Sequence, residues 1–206
     1  MAKYMSKSEY LTSVKGKKID TDGVPANQPY QCADLTKDYV KKCYGVDFTF
    51  SNSQNPNGYA KGLYENFESY PQLKDKFIKI PNTKTFVPEK GDIVEWGQYK
   101  GVTGVAGHTA VALGINDGTS YFKSLDQNWS KKYYVTEVNH NYKGVLGVIR
   151  PLLKCVTANL NVRAGAGTNY NVVDVIDKGT LVKVYETKGT WSRIGEGKWV
   201  SSNYLD

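Results

Sequence analysis

Cysteine, histidine and methionine are all scarce in this 206-residue chain, which has three Cys, two His and two Met. Cys32, Cys43 and Cys155 show no C-x-x-C spacing, which argues against a disulfide scaffold and a Cys-rich zinc site and leaves free thiols. No apolar run approaches the roughly 20 residues a membrane-crossing helix needs, so a transmembrane role is out. Nor does an apolar run follow the opening Met1-Ala-Lys-Tyr-Met-Ser-Lys7. Without the core of a secretory signal, the expectation is a chain made and kept in the cytoplasm until something else releases it. Net charge is +7, yet clusters of basic residues are missing: Lys41-Lys42 and Lys131-Lys132 are only pairs. No basic helix or RNA-binding aromatic signature accompanies them, so nucleic acid is not an expected partner, while an anionic polymer such as a cell wall suits the charge.

What the chain has is 16 Tyr, 20 Gly and many Val, with 40% apolar and 23% charged residues. That balance is globular, and it favours β-rich architecture with amphipathic grooves. The character changes near Arg150-Pro151, with 20 basic against 15 acidic residues up to there and 7 against 5 beyond. Two domains are expected, residues 1–150 and 154–206, closely tethered because no Gly/Ser-rich or Pro-rich linker separates them. In the first, helical spacing covers 9–14, Ala33–Cys43 (ended by Gly45) and a stretch within Asn57–Tyr70. Strand patterns follow at Asp92–Trp96, Thr109–Leu113, Tyr121–Leu125 and Val145–Ile149, separated by glycine turns. Helices first and an antiparallel sheet after them read as α+β. The tail offers short strands at Leu160–Arg163, Val172–Ile176, Thr180–Tyr185, Trp191–Ile194 and Lys198–Val200, the pattern of a small all-β barrel.

Cys32 opens the strongest helix, where the dipole favours the nucleophilic thiolate, although a cysteine taken alone is more often a small buried apolar residue. His108 follows a glycine turn and precedes an apolar strand, which puts its ring at a sheet edge, free to face a cleft, although a histidine taken alone is more often structural or solvated. His140, in Asn139-His-Asn-Tyr142, reads as a solvated loop residue. Asp126 and Asn128 stand at i and i+2, so a strand would point both to one face, where either could orient an imidazole; a turn cap is the plainer reading. Asp20-Thr-Asp22-Gly23 is a hard-cation pattern like the start of an EF-hand loop, without the bidentate Glu that completes one. The plainer reading is a solvated Asp turn, with Asp34 complementing the helix dipole.

Together, Gln31-Cys-Ala-Asp34, Gly91-Asp-Ile-Val-Glu-Trp96, Gly107-His-Thr-Ala-Val-Ala112 and Leu125-Asp-Gln-Asn-Trp129 resemble the CHAP domain, the cysteine- and histidine-dependent amidohydrolases/peptidases. The tail resembles a bacterial SH3 domain, on Ala158-Asn-Leu-Asn-Val-Arg163-Ala-Gly and Gly197-Lys-Trp-Val-Ser-Ser-Asn-Tyr-Leu205. The pair resembles a bacteriophage endolysin. The resemblance implies a papain-like α+β domain that cuts an amide of Gram-positive peptidoglycan, as amidase or endopeptidase, and a wall-binding barrel behind it. It implies Cys32 as nucleophile, His108 as base, Asp126 (where the family has Glu) as its orienting acid and Asn128 as support. The Cys32 backbone N–H and Gln31 are oxyanion candidates. It also implies Ca²⁺ at Asp20, Asp22 and Asp34, with backbone oxygens of the 24–29 loop or Asn27 as further ligands. Arg163, Tyr170, Trp191 and Tyr204 are the wall-binding candidates, with Trp199 read as core. The expected molecule is a monomer that acts on the wall after release through a membrane lesion. The alternatives are a non-catalytic wall-binding protein, or a host autolysin or phage tail lysin with the same chemistry.

Overall fold

The computed structural model describes residues 3–23, 30–118 and 120–206. The chain divides into one unit of Leu11–Pro151 and another in which Met1–Tyr10 joins Leu152–Asp206. The first ten residues, expected with the N-terminal domain, therefore belong to the C-terminal unit. Local hydrogen bonds hold them there. The Tyr4 N–H donates to the Gly179 carbonyl at 2.9 Å, the Ser8 N–H to Asp206 Oδ2 at 2.5 Å, and the Lys178 ammonium to Glu9 at 2.6 Å. Helix α1 (Lys7–Val14) starts two residues before the apolar pattern does, because Ser6 and Glu9 cap its first turn reciprocally.

In the unit of Leu11–Pro151, six strands form one antiparallel sheet: β1 (Phe77–Pro81), β2 (Ile93–Trp96), β3 (His108–Asn116), β4 (Phe122–Asp126), β5 (Thr136–His140) and β6 (Val145–Pro151). Their order is β1-β6-β2-β3-β4-β5. β1 and β5 lay outside the expected strands. The side chains of Val94, Trp96, Ala110, Ala112 and Phe122 build a core on one face with Phe86, Val145 and Val148. The alternate residues Ile93, Glu95, Thr109 and Val111 point to the other face. Helix α2 (Cys32–Tyr44) packs there through Leu35, Thr36, Tyr39, Val40 and Cys43, one stripe at helical spacing. It ends at Gly45, whose φ of 66° lets its N–H close on the Lys41 carbonyl. The helix expected within 57–70 is instead a broken series: α3 (Gly62–Glu65), a 3₁₀ turn (Phe67–Ser69) and α4 (Pro71–Lys74). Pro71 has no N–H to continue a helix and biases Tyr70 away from helical angles.

The second unit is all-β apart from its N-terminal segment and a final 3₁₀ turn. Its strands are β7 (Leu153–Cys155), β8 (Leu160–Arg163), β9 (Val172–Ile176), β10 (Leu181–Lys183), β11 (Glu186–Lys188), β12 (Trp191–Gly195) and β13 (Lys198–Ser201). A sheet β11-β12-β13-β8-β9 and a ribbon β10-β7 enclose Val156, Leu160, Val162 and Val200. The α+β class with an all-β C-terminal unit is thus observed. No helix among the described residues is long and apolar enough to cross a membrane.

Candidate active site

Cys32 is the first residue of α2, and the chain turns into it at Gln31, whose extended backbone (φ −77°, ψ 163°) is that of an N-cap. Asp34, two positions on, accepts the Gln31 N–H at 2.8 Å and so holds the entry to the helix. The thiol is half-buried at a cleft of about 610 Å³, whose walls include Gln31, Phe50, Tyr59, Gly107, His108 and Asn128. Gly107 has to be glycine. Its φ is +71°, and a Cβ there would lie 2.1 Å from the Trp96 carbonyl oxygen. That tight approach sets His108 at the head of β3, paired with Trp96.

His108 is buried, and its Nε2 lies 2.8 Å from Asp126 Oδ2. The shorter Asp arm therefore reaches the imidazole. With Nε2 committed to Asp126, Nδ1 is the nitrogen left for the Cys32 thiol, to which His108 is hydrogen-bonded. The Asp126 carboxylate also accepts from the Ser124 hydroxyl at 2.6 Å and lies 3.1 Å from His140 Nε2. His140 is thus no solvated loop residue. It closes β5, is buried, and packs its ring against Trp96, Phe122 and Trp129. The Thr136–His140 alternation was the available signal. A second cleft of about 410 Å³, lined by Trp96, Trp129, Asn139 and His140, shares Gly107, His108 and Asn128 with the first.

Burial pushes the Cys32 thiol up, but the positive charge and hydrogen bond of His108, with the Thr109 and Ala33 amides, bring it below its ordinary value. Burial likewise opposes a charged His108, yet the thiolate and Asp126 outweigh it and raise the imidazole. Both shifts run in the direction of a thiolate–imidazolium pair. Asp126 stays ionised in spite of burial because both imidazoles hydrogen-bond to it.

Asn128 does not share a face with Asp126. β4 ends at Asp126, and Asn128 has a left-handed φ of 60°. Its side-chain NH₂ donates to Gln31 Oε1 at 2.9 Å, so it holds Gln31 and not the imidazole. Gln127, to which no role was given, is buried and joins more of the chain than Asn128 does. Its amide exchanges two hydrogen bonds with the Ile19 backbone at 2.8 Å and donates to the Gln31 carbonyl at 2.9 Å.

The structure does bring Asp20, Asp22 and Asp34 together, with one carboxylate oxygen from each within 4.8 Å of the others. Asp34 is buried and accepts the Thr21 hydroxyl at 2.6 Å. The Lys37 ammonium sits 2.7 Å from Asp22 and 3.4 Å from Asp34. Asp20 Oδ1 accepts the Gly23 N–H at 2.8 Å. Asn27 and the rest of the 24–29 loop lie outside the described residues.

In the second unit, the Arg163 guanidinium is spent on its own loop, donating to the Thr168 and Tyr170 carbonyls at 3.1 and 2.8 Å. Tyr170 is exposed and lies over Gly165, where a Cβ would meet its ring at 2.4 Å. Tyr204 is exposed, and Trp191 and Trp199 are half-buried, so Trp199 is outside the core proper.

No curated protein matches the chain. Among solved structures, it is similar to the wild-type endolysin LysIME-EF1, with 29% identity over 71% of this chain and 64% of that one at a TM-score of 0.48. It thus spans less than two thirds of that protein. It is also similar to Ly7917, with 17% identity over 96% of this chain and 92% of that one at a TM-score of 0.50. A structure of Ly7917 with the hydrolysing product of MDP aligns at a TM-score of 0.49, with 17% identity over 96% of this chain and 93% of that one. The model for the bacterial SH3 domain matches residues 158–206. The chain shares the fold of Ly7917, and its residues 158–206 are a bacterial SH3 domain.

Proposed function

We propose that the chain is a cysteine-dependent peptidoglycan hydrolase of the endolysin type, with the CHAP-like domain catalytic and the SH3 domain attaching it to the Gram-positive wall. The observation that carries this reading is the Cys32 thiol at a helix start, hydrogen-bonded to His108, whose far nitrogen is held 2.8 Å from buried Asp126. The thiolate attacks the carbonyl carbon of a wall-peptide amide. The Cys32 N–H, and the NH₂ of Gln31 whose carbonyl end Asn128 holds, donate to the developing oxyanion. His108 gives its proton to the leaving nitrogen as the C–N bond breaks and a thioester remains. The neutral imidazole then takes a proton from water as the water oxygen attacks the thioester. Collapse expels the thiolate and restores the imidazolium pair.

The reading extends to Ca²⁺ at Asp20, Asp22 and Asp34, an all-oxygen donor set of the kind this hard cation takes. The ion would brace the segment that leads into Cys32; Lys37 would have to yield its place beside Asp22 and Asp34. Attachment raises the enzyme's effective concentration at an insoluble substrate. Exposed Tyr170 and Tyr204 and half-buried Trp191 are the stacking surfaces proposed for it, whereas Arg163 supports the loop. The test is loss of turbidity in a suspension of purified Gram-positive walls, wild type against Cys32→Ala. Mass analysis of the released fragments then names the bond as amidase or endopeptidase. Lysis by the variant equal to wild type would remove Cys32 as the nucleophile, and absence of lysis by wild type itself would leave a wall-binding protein.

A further inference from the structure

Beneath the thiol lies a carboxyl that this mechanism does not use. Glu95, in β2, is 0% exposed. Its Oε1 accepts the Thr109 hydroxyl at 2.7 Å, and the Thr109 and Thr36 hydroxyl oxygens are 3.0 Å apart. Since Thr109 donates to Glu95, Thr36 donates to Thr109. Thr36 stands one helical turn beyond Cys32 on the same face of α2. Thr109 directly follows His108, and its backbone N–H is hydrogen-bonded to the Cys32 sulfur. The file Glu95–Thr109–Thr36 thus ties the helix that carries the thiol to the strand that carries the imidazole.

Resting on the reading of Cys32 as nucleophile, we propose that Glu95 in its uncharged form is a positioning residue for the Cys32–His108 pair, acting through Thr109. Two observations ask for the uncharged form. Glu95 Oε2 is buried and has no hydrogen-bond partner among the described residues, so a carboxylate would leave an unmatched anionic oxygen. The ionisable groups coupled to it are Cys32 from α2, His108 from β3 and Tyr70 ahead of α4. Burial first, and then the Cys32 thiolate, push the carboxyl well above its usual range, against the pull of Thr109 and His108. A charged Glu95 would disfavour the thiolate beside it; an uncharged one keeps the acceptor for Thr109 without that repulsion.

The experiment is site-resolved alkylation of Cys32 by iodoacetamide across pH 5 to 9 on the full chain, with melting curves to establish folding. It reads the thiol directly and does not depend on wall lysis. Glu95→Gln keeps the acceptor and the neutrality, and its rate should stay within about twofold of wild type. Glu95→Ala removes one hydrogen bond of the file, and the near-isosteric Thr109→Val removes both. The rate at pH 6 should fall about fivefold in Glu95→Ala, the equivalent of one neutral hydrogen bond, and at least as far in Thr109→Val, and Thr109→Ser should restore the rate. Folded Glu95→Ala and Thr109→Val proteins that alkylate like wild type would overturn the proposal. So would a Glu95→Gln protein as slow as Glu95→Ala, because a charge would then be required. A wild-type thiol no more reactive than free cysteine at pH 6 would overturn the nucleophile reading itself, and this proposal with it.

Discussion

Replacing Asp126 by Asn changes the site at its most connected atom pair. The wild-type carboxylate receives the Ser124 hydroxyl at 2.6 Å, His108 at 2.8 Å and His140 at 3.1 Å, all out of water. Asn offers one acceptor oxygen and turns an NH₂ toward the remaining donors. Hydrogen bonds to a charged partner contribute about 1.5–3 kcal/mol each, so losing one or two of them should cost about 2–4 kcal/mol. In a protein of this size that lowers the melting temperature by roughly 5–15 °C. Activity should fall further than stability, by about 10²–10⁴-fold, since the imidazole loses both its orientation and the charge that supports imidazolium. The stability gap has a defined pH shape. Asp126 titrates in the fold at about 2, below its ordinary value near 3.9, so its contribution is complete above that ordinary value and is lost as pH falls through 2. His108 is raised, so its contribution is complete below its ordinary value near 6.5 and fades as pH rises through the folded value. Wild type and Asp126→Asn should therefore differ most between about pH 4 and 6.5 and converge in strong acid. Melting curves by circular dichroism across pH, paired with wall turbidity at pH 7, make the test. A variant that lyses within threefold of wild type and melts at the same temperature at pH 5 would show the carboxylate to be idle.

Cys32→Ala should abolish lysis while wall sedimentation persists, whereas Cys43→Ala and Cys155→Ala should leave specific activity near wild type in the same turbidity assay. His140→Leu, which withdraws one donor from Asp126 and breaks the ring packing on Trp96 and Trp129, should lower activity about tenfold with intact wall binding, read as initial lysis rates. Chelator should lower the melting temperature and Ca²⁺ should restore it in a concentration-dependent way, a response that Asp22→Ala abolishes and Lys37→Gln enlarges; a flat calcium titration would leave these aspartates as a lysine-bridged turn.

The site was legible from the combination of its blocks and not from any one of them. A cysteine opening a helical stripe, a histidine after a glycine turn and a carboxylate beside an apolar strand each have a plainer reading alone, and the resemblance of the four blocks is what joined them. Asn128 was misplaced because i, i+2 reasoning holds only while the strand lasts, and this one stops at Asp126. His140 was read as solvated because its neighbours are polar; its burial comes from Trp96 and Trp129, which arrive from elsewhere in the chain. Glu95 sat inside a recognised block, yet its place under the thiol follows from pairing with Thr109 on the neighbouring strand. The helix expected within 57–70 is interrupted at Asn66, whose φ of −115° and ψ of 31° leave the helical region, and Pro71 ends the turn that follows. The strand at Phe77–Pro81 escaped notice because only Phe77 is buried, so no alternation marks it.

The allocation of Met1–Tyr10 to the C-terminal unit bears on the order of events at the ribosome. The middle stretch, Leu11–Pro151, has every strand of its sheet in hand once β6 is synthesised. The other unit joins segments far apart in sequence, since Tyr4 bonds Gly179 and the Cys155 N–H bonds the carbonyl of Asp206 at 2.8 Å. Residues 3–10 therefore have to wait for 152–206 to be synthesised before they meet these partners. Replacing 152–206 by another domain would strand 3–10, so a transplantable cassette consists of both segments together.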